Sequence, residues 1–328
     1  QAEDGIRDCL LSRGLGDVYK RQELSPKEYE HPLDRKAINT LEAIPGVRTL
    51  VEKIWEKFLQ KFLVLEYMGS SLRITKENYP DIHKLLDEAC LNLDVKEIPP
   101  LYLINDPSMQ ALAIGASKPF IGITYALVER LDSEELLFVI AHELGHIKSG
   151  HVLYYNIALY LKPIVEVASQ LSLGIAGLVG GGFQIALKYW QRMSEFTSDR
   201  AGLLVCQDPK VCIRAMIKIA GLPVDRVGIE SFEKSFLEQA KEFEDFDYGA
   251  MNKFVKVMST YNNSHPWTVL RASEFIKWEG SEEYKLILKG ERNFNREENL
   301  EDFLACSVCG NRLGDSDKFC GKCGAKVD

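Results

Sequence analysis

A chain of 328 residues, 46% of them hydrophobic, is long enough to bury the core of one large domain or two modest ones. Its formal net charge of −8 gives no global argument for a nucleic-acid partner, and no basic amphipathic membrane anchor is evident.

In chain order, residues 1–22 stand apart. The runs QAEDGIRD and SRGLGDVYKRQ back-translate, in order and in frame, into a short-read sequencing adapter, with Cys9, Leu10 and Leu11 between them as a sample index. We read this stretch as a translated artefact, expected to be disordered, and set it aside from fold reasoning. Glu23–Pro45 is polar and proline-marked. Val47–Tyr67 carries helical apolar spacing. NYPDIHKLLDEACLNLDV predicts another helix with Leu85, Leu86, Ala89 and Cys90 on its inner face. PPLYLIND reads as a short strand, and QALAIGASKPFIGIT as a hairpin or two strands around Gly115–Pro119. Asp132, with Glu135 three residues on, is a capping box that opens a helix ending near Ser149-Gly150.

Val152–Trp190 is the most apolar region. Its run from Leu171 to Leu187 has no charge but holds several glycines, each costing a helix interior about 1 kcal/mol relative to alanine. It is also short of the roughly 20 apolar residues that span a bilayer. A buried or membrane-leaning helical pair is expected. Helical pattern resumes over Glu195–Gly221 and again over Ser231–Lys289, the latter broken by YNNSHPW. KGERNFNREENLED reads as a linker into a last small unit. The expected division is residues 23–295 as one domain, 296–304 as linker and 305–328 as a small C-terminal module.

Chemistry concentrates in ELLFVIAHELGHIKSGH. Residues i and i+4 share a helix face, so His142 and His146 can hold one ion, with Glu143 one step around to act on a water. Histidines among apolar residues are costly unless partnered, which weighs against a plain core helix. His151 lies off the shared face and reads as structural or as a support for a ligand. A catalytic zinc needs a third protein ligand and an open position. WQRMSEFTSDRAG supplies Glu195 as ligand and, at i+4, Asp199 to fix the tautomer of a ligand histidine.

These residues resemble the gluzincin metallopeptidases of the HtpX and CAAX-prenyl-protease type, over about Pro99 to Arg271. The resemblance implies a mostly helical α+β fold, a zincin-like metallopeptidase domain with a small edge β-sheet. It implies a zinc endopeptidase acting on extended or misfolded protein chains, with Glu143 as general base. SHPWTVLRA matches the family's downstream motif, so His265 would stabilise the oxyanion and Arg271 would organise nearby carboxylates. The substrate strand would be Gln110, Ala111, Leu112, Ala113, Ile114 and Gly115, pairing with a peptide by main-chain hydrogen bonds. The family's Asn-Ala reads Gln110-Ala111 here.

The C-terminus carries Cys306-x2-Cys309 and Cys320-x2-Cys323, each followed by glycine. Four thiolates close a shell, which reads as a structural zinc ribbon beside the catalytic zinc. Arg312, Lys318, Lys322 and Lys326 are offset by Asp315, Asp317 and Asp328, so no nucleic-acid binding is inferred. Cys90, Cys206 and Cys212 read as free buried thiols, and such thiols favour a reducing compartment. A cytoplasmic location is expected, with peripheral membrane contact through 152–190 as a further expectation. The competing readings are a non-catalytic adaptor that binds extended chains and recruits partners through the ribbon, and a membrane-embedded quality-control protease.

Overall fold

The computed structural model describes residues 22–160, 181–221, 234–239, 242, 268–291, 304–305 and 312–313. Residues 1–21, most of the apolar run at 171–187, His265 and the four ribbon cysteines lie outside the described residues.

The polar, proline-marked start folds into more than a leader. A 3-10 turn at Pro26–Glu28 precedes helix α1, Pro32–Glu42. Proline stands at the start of both, where its missing N–H costs nothing. His31 caps α1, its ring accepting from the Leu33 amide. Helices α2, Val47–Ile54, and α3, Gln60–Ser70, are joined by a π-helical turn at Trp55–Leu59. Strand β1, Leu72–Ile74, follows; three residues with two exposed give too little pattern to read in advance. The predicted helix appears as α4, Pro80–Asn92, with Leu86, Ala89 and Cys90 buried.

The predicted strands form as β2, Leu101–Ile104, β3, Ala111–Ile114, and β4, Phe120–Thr124. The sheet order is β1-β2-β4-β3. Only β2 and β4 are parallel, pairing Leu101 with Ile121; β3 runs antiparallel to β4, Ala113 opposite Ile121. The segment Gln110–Thr124 is therefore a hairpin whose first strand lies at the sheet's edge. Gly115, at φ +98°, makes its turn; a Cβ there would sit 2.9 Å from the Lys118 carbonyl oxygen.

After α5, Tyr125–Arg130, comes the metal-motif helix α6, Ser133–Lys148. Its capping box is formed as expected: Asp132 accepts from the Glu134 and Glu135 amides, and Glu135 returns a bond to the Asp132 amide. Glu135 is fully buried and also takes the Lys218 ammonium at 2.7 Å. Helix α7, Val152–Leu159, is short. The expected helix over Glu195–Gly221 is two helices. α8, Gly181–Cys206, begins well before it, and α9, Pro209–Ile219, starts anew at an Asp208 cap and a proline that prevents continuation. Helices α10, Thr268–Glu279, and α11, Glu282–Lys289, complete this part. Near the C-terminus β5, Leu304–Ala305, pairs antiparallel with β6, Arg312–Leu313.

Two apolar clusters organise the protein. One gathers α4, the C-terminal part of α8, α9, α10 and much of α6; the other gathers α1 to α3, α7 and the N-terminal half of α8. Helix α8 passes from one to the other through Thr197, Ser198, Asp199 and Arg200, all buried and all polar. A buried polar turn must find partners. Arg200 donates to the Tyr29 and Glu30 carbonyls, and Thr197 donates to Asp34, so this turn holds the N-terminal segment. Helices α6 and α8 approach closely here because Gly145 and Gly202 lack side chains. A Cβ at Gly145 would lie 2.7 Å from that of Ala201, and one at Gly202 would lie 2.6 Å from the Phe138 ring. Cys90, Cys206 and Cys212 are free and buried.

Candidate metal centre

Helix α6 buries every residue from Glu135 to His146, so its two histidines depend on partners within the protein. Their outer partners come from α8. His142 Nε2 stands 3.5 Å from Glu195 Oε2, and His146 Nε2 stands 3.4 Å from Glu195 Oε1. These gaps are long for charged hydrogen bonds. They match what a shared ion needs, since ligands held 2.0–2.1 Å from a tetrahedral ion stand about 3.3 Å apart. The three ligand atoms lie within 4.8 Å of one another, and all three residues are buried. Two neutral nitrogens and a carboxylate oxygen are a donor set suited to zinc with one position left open. The residues present fit the metal.

Each histidine is held from behind. The Nδ1 of His142 is 3.0 Å from Asp199 Oδ1, and Asp199 is gripped in turn by Arg271 through Nε at 2.8 Å and Nη2 at 2.6 Å. Burial alone would raise the Asp199 carboxyl, but Arg271 and His142 hold it below its usual range. Arg271 Nη1 also stands 3.5 Å from Glu195 Oε2. The structure thus brings His142, His146, Glu195, Asp199 and Arg271 together, with Glu143 lining the same cleft.

The support behind His146 comes from a place the sequence reading left blank. His146 Nδ1 is 3.1 Å from His151 Nδ1, and His151 Nε2 is 3.0 Å from Asp34 Oδ2. With Nε2 of His146 turned to the metal position, its Nδ1–H donates to His151, which donates onward to Asp34. Thr197 donates to the same Asp34 oxygen at 2.6 Å and accepts from the His31 amide at 3.0 Å. His151 is therefore the support for a ligand that one of its two readings expected. Tyr155 is a further partner not anticipated. It donates to Glu195 Oε1 at 2.7 Å, and burial beside Glu195 raises its phenol well above the usual range, so it stays a neutral donor. A tyrosine and an asparagine inside the apolar run 152–161 were the available signal, because buried polar side chains in such a run must be paired.

The surrounding protein groups poise the two histidines oppositely. Burial would lower His142, but Asp199 and Glu195 raise it to about 9. Burial takes His146 down to about 4 against the pull of Glu195.

The centre opens into a cleft of about 520 Å³. Met109, Gln110, Ala111 and Leu112 form one wall, Phe138, Val139, His142 and Glu143 another, with Tyr155, Glu195 and Arg271 at the metal position. Of the six residues expected to form a substrate strand, Gln110, Ala111 and Leu112 line this cleft. Exposure falls along it, from Gln110 in solvent to Ala113, Ile114 and Gly115 buried, and those last three do not line the cleft. Their outer side is covered by α7, through Asn156.

The peptidase family M48 profile matches residues 76–279, and a zinc-ribbon domain profile matches residues 306–327. The chain is similar to the plastoglobule-localized metallopeptidase 48 of Arabidopsis thaliana, chloroplastic, at 34% identity over 82% of this chain and 77% of that protein. It is similar to the protease HtpX homolog of Helicobacter pylori (strain J99) at 32% identity, over 46% of this chain and 55% of that protein. The protease HtpX homolog 2 of Methanosarcina acetivorans is 25% identical over 67% of this chain and 79% of that protein. No solved structure matches the chain.

Proposed function

The chain belongs to peptidase family M48 and is a zinc metallopeptidase with a C-terminal zinc ribbon, and from this we propose that it is an endopeptidase cutting internal bonds of extended or misfolded protein chains. The observation that carries the reading is the spacing of His142, His146 and Glu195 at the floor of a cleft whose wall is an edge strand. Those three residues would hold the ion. When bound, zinc supplies Lewis acidity, acidifying water and polarising the scissile carbonyl. Glu143 takes the proton from the attacking water and delivers it to the leaving amine. His265 donates to the oxyanion. Asp199 and Arg271 keep His142 aimed, and the exposed end of β3 aligns the peptide. The four thiolates of Cys306, Cys309, Cys320 and Cys323 would hold a second, structural zinc.

Glu143→Gln tests the reading. It should keep zinc and fold while losing hydrolysis of an unfolded protein by several orders of magnitude, because both proton transfers fail. Glu195→Ala should lose the catalytic zinc itself. Ending the chain before Cys306 should remove the ribbon's zinc only. Hydrolysis by Glu143→Gln at the parental rate would favour the adaptor reading instead.

We also propose peripheral contact with a lipid surface, at a patch other than the expected 152–190, whose first helix α7 is mostly buried. Among the described residues no helix is long and apolar enough to cross a membrane. The side chains of Phe62, Leu65, Met68 and Leu72 are exposed along α3 and into β1. Carbonate extraction should release the protein from membranes; retention in the pellet would favour the embedded protease.

A further inference from the structure

The outer edge of β3 is the surface an extended peptide would use, so which of its polar groups are open decides what it can hold. Backbone groups of successive residues in an antiparallel strand face alternately toward and away from the neighbour. The Gln110 carbonyl accepts from the Thr124 amide, so Gln110 faces β4. By alternation Leu112 and Ile114 also face β4, and Ala111, Ala113 and Gly115 face outward. One outward group of each of the last two is already taken. Asn156 Nδ2 donates to the Ala113 carbonyl at 3.0 Å, and Asn156 Oδ1 accepts from the Gly115 amide at 3.3 Å. One side-chain amide thus makes the pair of bonds that a residue of an added strand would make. Asn156 is fully buried, and α7 around it buries Tyr154, Tyr155, Ile157 and Ala158 as well, so this amide is fixed in place.

We propose that Asn156 is a stop at the end of the peptide-binding edge and sets how much extended substrate the enzyme can read. A peptide pairs with the outward N–H and C=O of Ala111, in the cleft beside the metal position. It finds the next outward carbonyl, that of Ala113, and the amide beyond it, that of Gly115, occupied, and on that side of the scissile bond it must leave the line of the sheet. The substrate class is then an extended chain recognised over a short main-chain register, with sequence beyond the stop unread. This rests on the peptidase reading given above.

The experiment uses quenched fluorescent peptides lengthened one residue at a time, separately at each end, with kcat/KM measured on the full chain. Toward one end the gain should cease after one or two residues. Toward the other it should continue, by roughly threefold to tenfold for each added pair of main-chain hydrogen bonds. In Asn156→Ala the plateau should move outward by about two residues. A continued rise at both ends of the parent protein would overturn the proposal. So would an unmoved plateau in an Asn156→Ala protein that keeps its zinc and melting temperature. A second measurement needs neither turnover nor a stable Asn156 variant. In Glu143→Gln, amide exchange should slow at Ala111 when peptide is added and stay unchanged, already slow, at Gly115. Fast exchange at Gly115 that slows only with peptide would overturn the stop. Absence of hydrolysis by the parent would defeat the peptidase reading, and the exchange experiment would still decide the stop.

Discussion

Two histidines one turn apart on α6 are supported by different means. Behind His142 an anion sits in direct contact, Asp199, itself clamped by Arg271 on α10. Behind His146 the anion is one imidazole further away, with His151 between it and Asp34 on α1. The first arm joins three helices of the family-matched span; the second reaches outside it. An anion in contact strengthens a ligand nitrogen by charge and by geometry. An anion relayed through a ring contributes mostly geometry, because Coulomb energy falls with distance and the ring spends one hydrogen bond to make the next. The two arms should therefore fail differently.

The largest effect is expected from Asp199→Asn. It removes the contact anion and leaves the half-buried Arg271 with Glu195 as its one remaining carboxylate partner in the site, so zinc affinity should fall about 100-fold. Competition with a chromophoric chelator, parent beside variant so that the ribbon's share cancels, measures this. Gly145→Ala should strike both arms through their common scaffold. A methyl 2.7 Å from the Ala201 Cβ must push α6 from α8, costing about 2 kcal/mol in a denaturant titration. A neutral result there would show that the helices can part without cost. Asp34→Asn should weaken zinc about tenfold. Nitrogen-15 spectra of the histidine rings should show His151 losing its single tautomer while His142 is unmoved. Equal losses for Asp34→Asn and Asp199→Asn would end the distinction between the arms.

The smallest effect concerns the brace that seats α1. The Nε2 of His31 is 3.2 Å from Glu274 Oε2 on α10. Burial opposes the charge on Glu274, but His31 and Lys277 together, by hydrogen bond and by charge, outweigh it and take the carboxyl from 4.5 down to about 2. A depressed carboxyl contributes stability that is present above 4.5 and lost as pH falls from 4.5 toward 2. Glu274→Gln should remove that acid-side slope, and roughly 1 kcal/mol at neutral pH, in melts followed across this window. An unchanged slope would show that Glu274 does not brace α1.

The first arm was readable because its geometry is local. His142 and His146, and Glu195 and Asp199, are each spaced i, i+4, and a helix puts such pairs on one face without help from tertiary structure. Arg271 was legible only by its place in a motif. The β-hairpin and the capping box at Asp132 were equally local. Asp34, by contrast, is a lone acid in a polar stretch, more than a hundred residues from His151 in the chain, and nothing in its neighbourhood distinguishes it from a solvated side chain. Asn156 offered half a signal. Its polar amide in an apolar run demanded a partner, but which strand edge it would meet depended on the packing of α7 against β3. The break at Gln207 between α8 and α9 was missed because apolar spacing runs on either side of it.

The contact from Thr197 and His151 to Asp34 also bears on how freely this catalytic unit can be exchanged. A graft of residues 76–279 of this chain into another protein would carry His142, His146 and Glu195, together with Asp199, Arg271 and His151. It would still inherit its anion behind His151, or lack one, from whatever segment precedes the graft. Transplanting the activity thus means moving α1 along with the helices that bind the metal, two pieces separated in the chain but matched to each other.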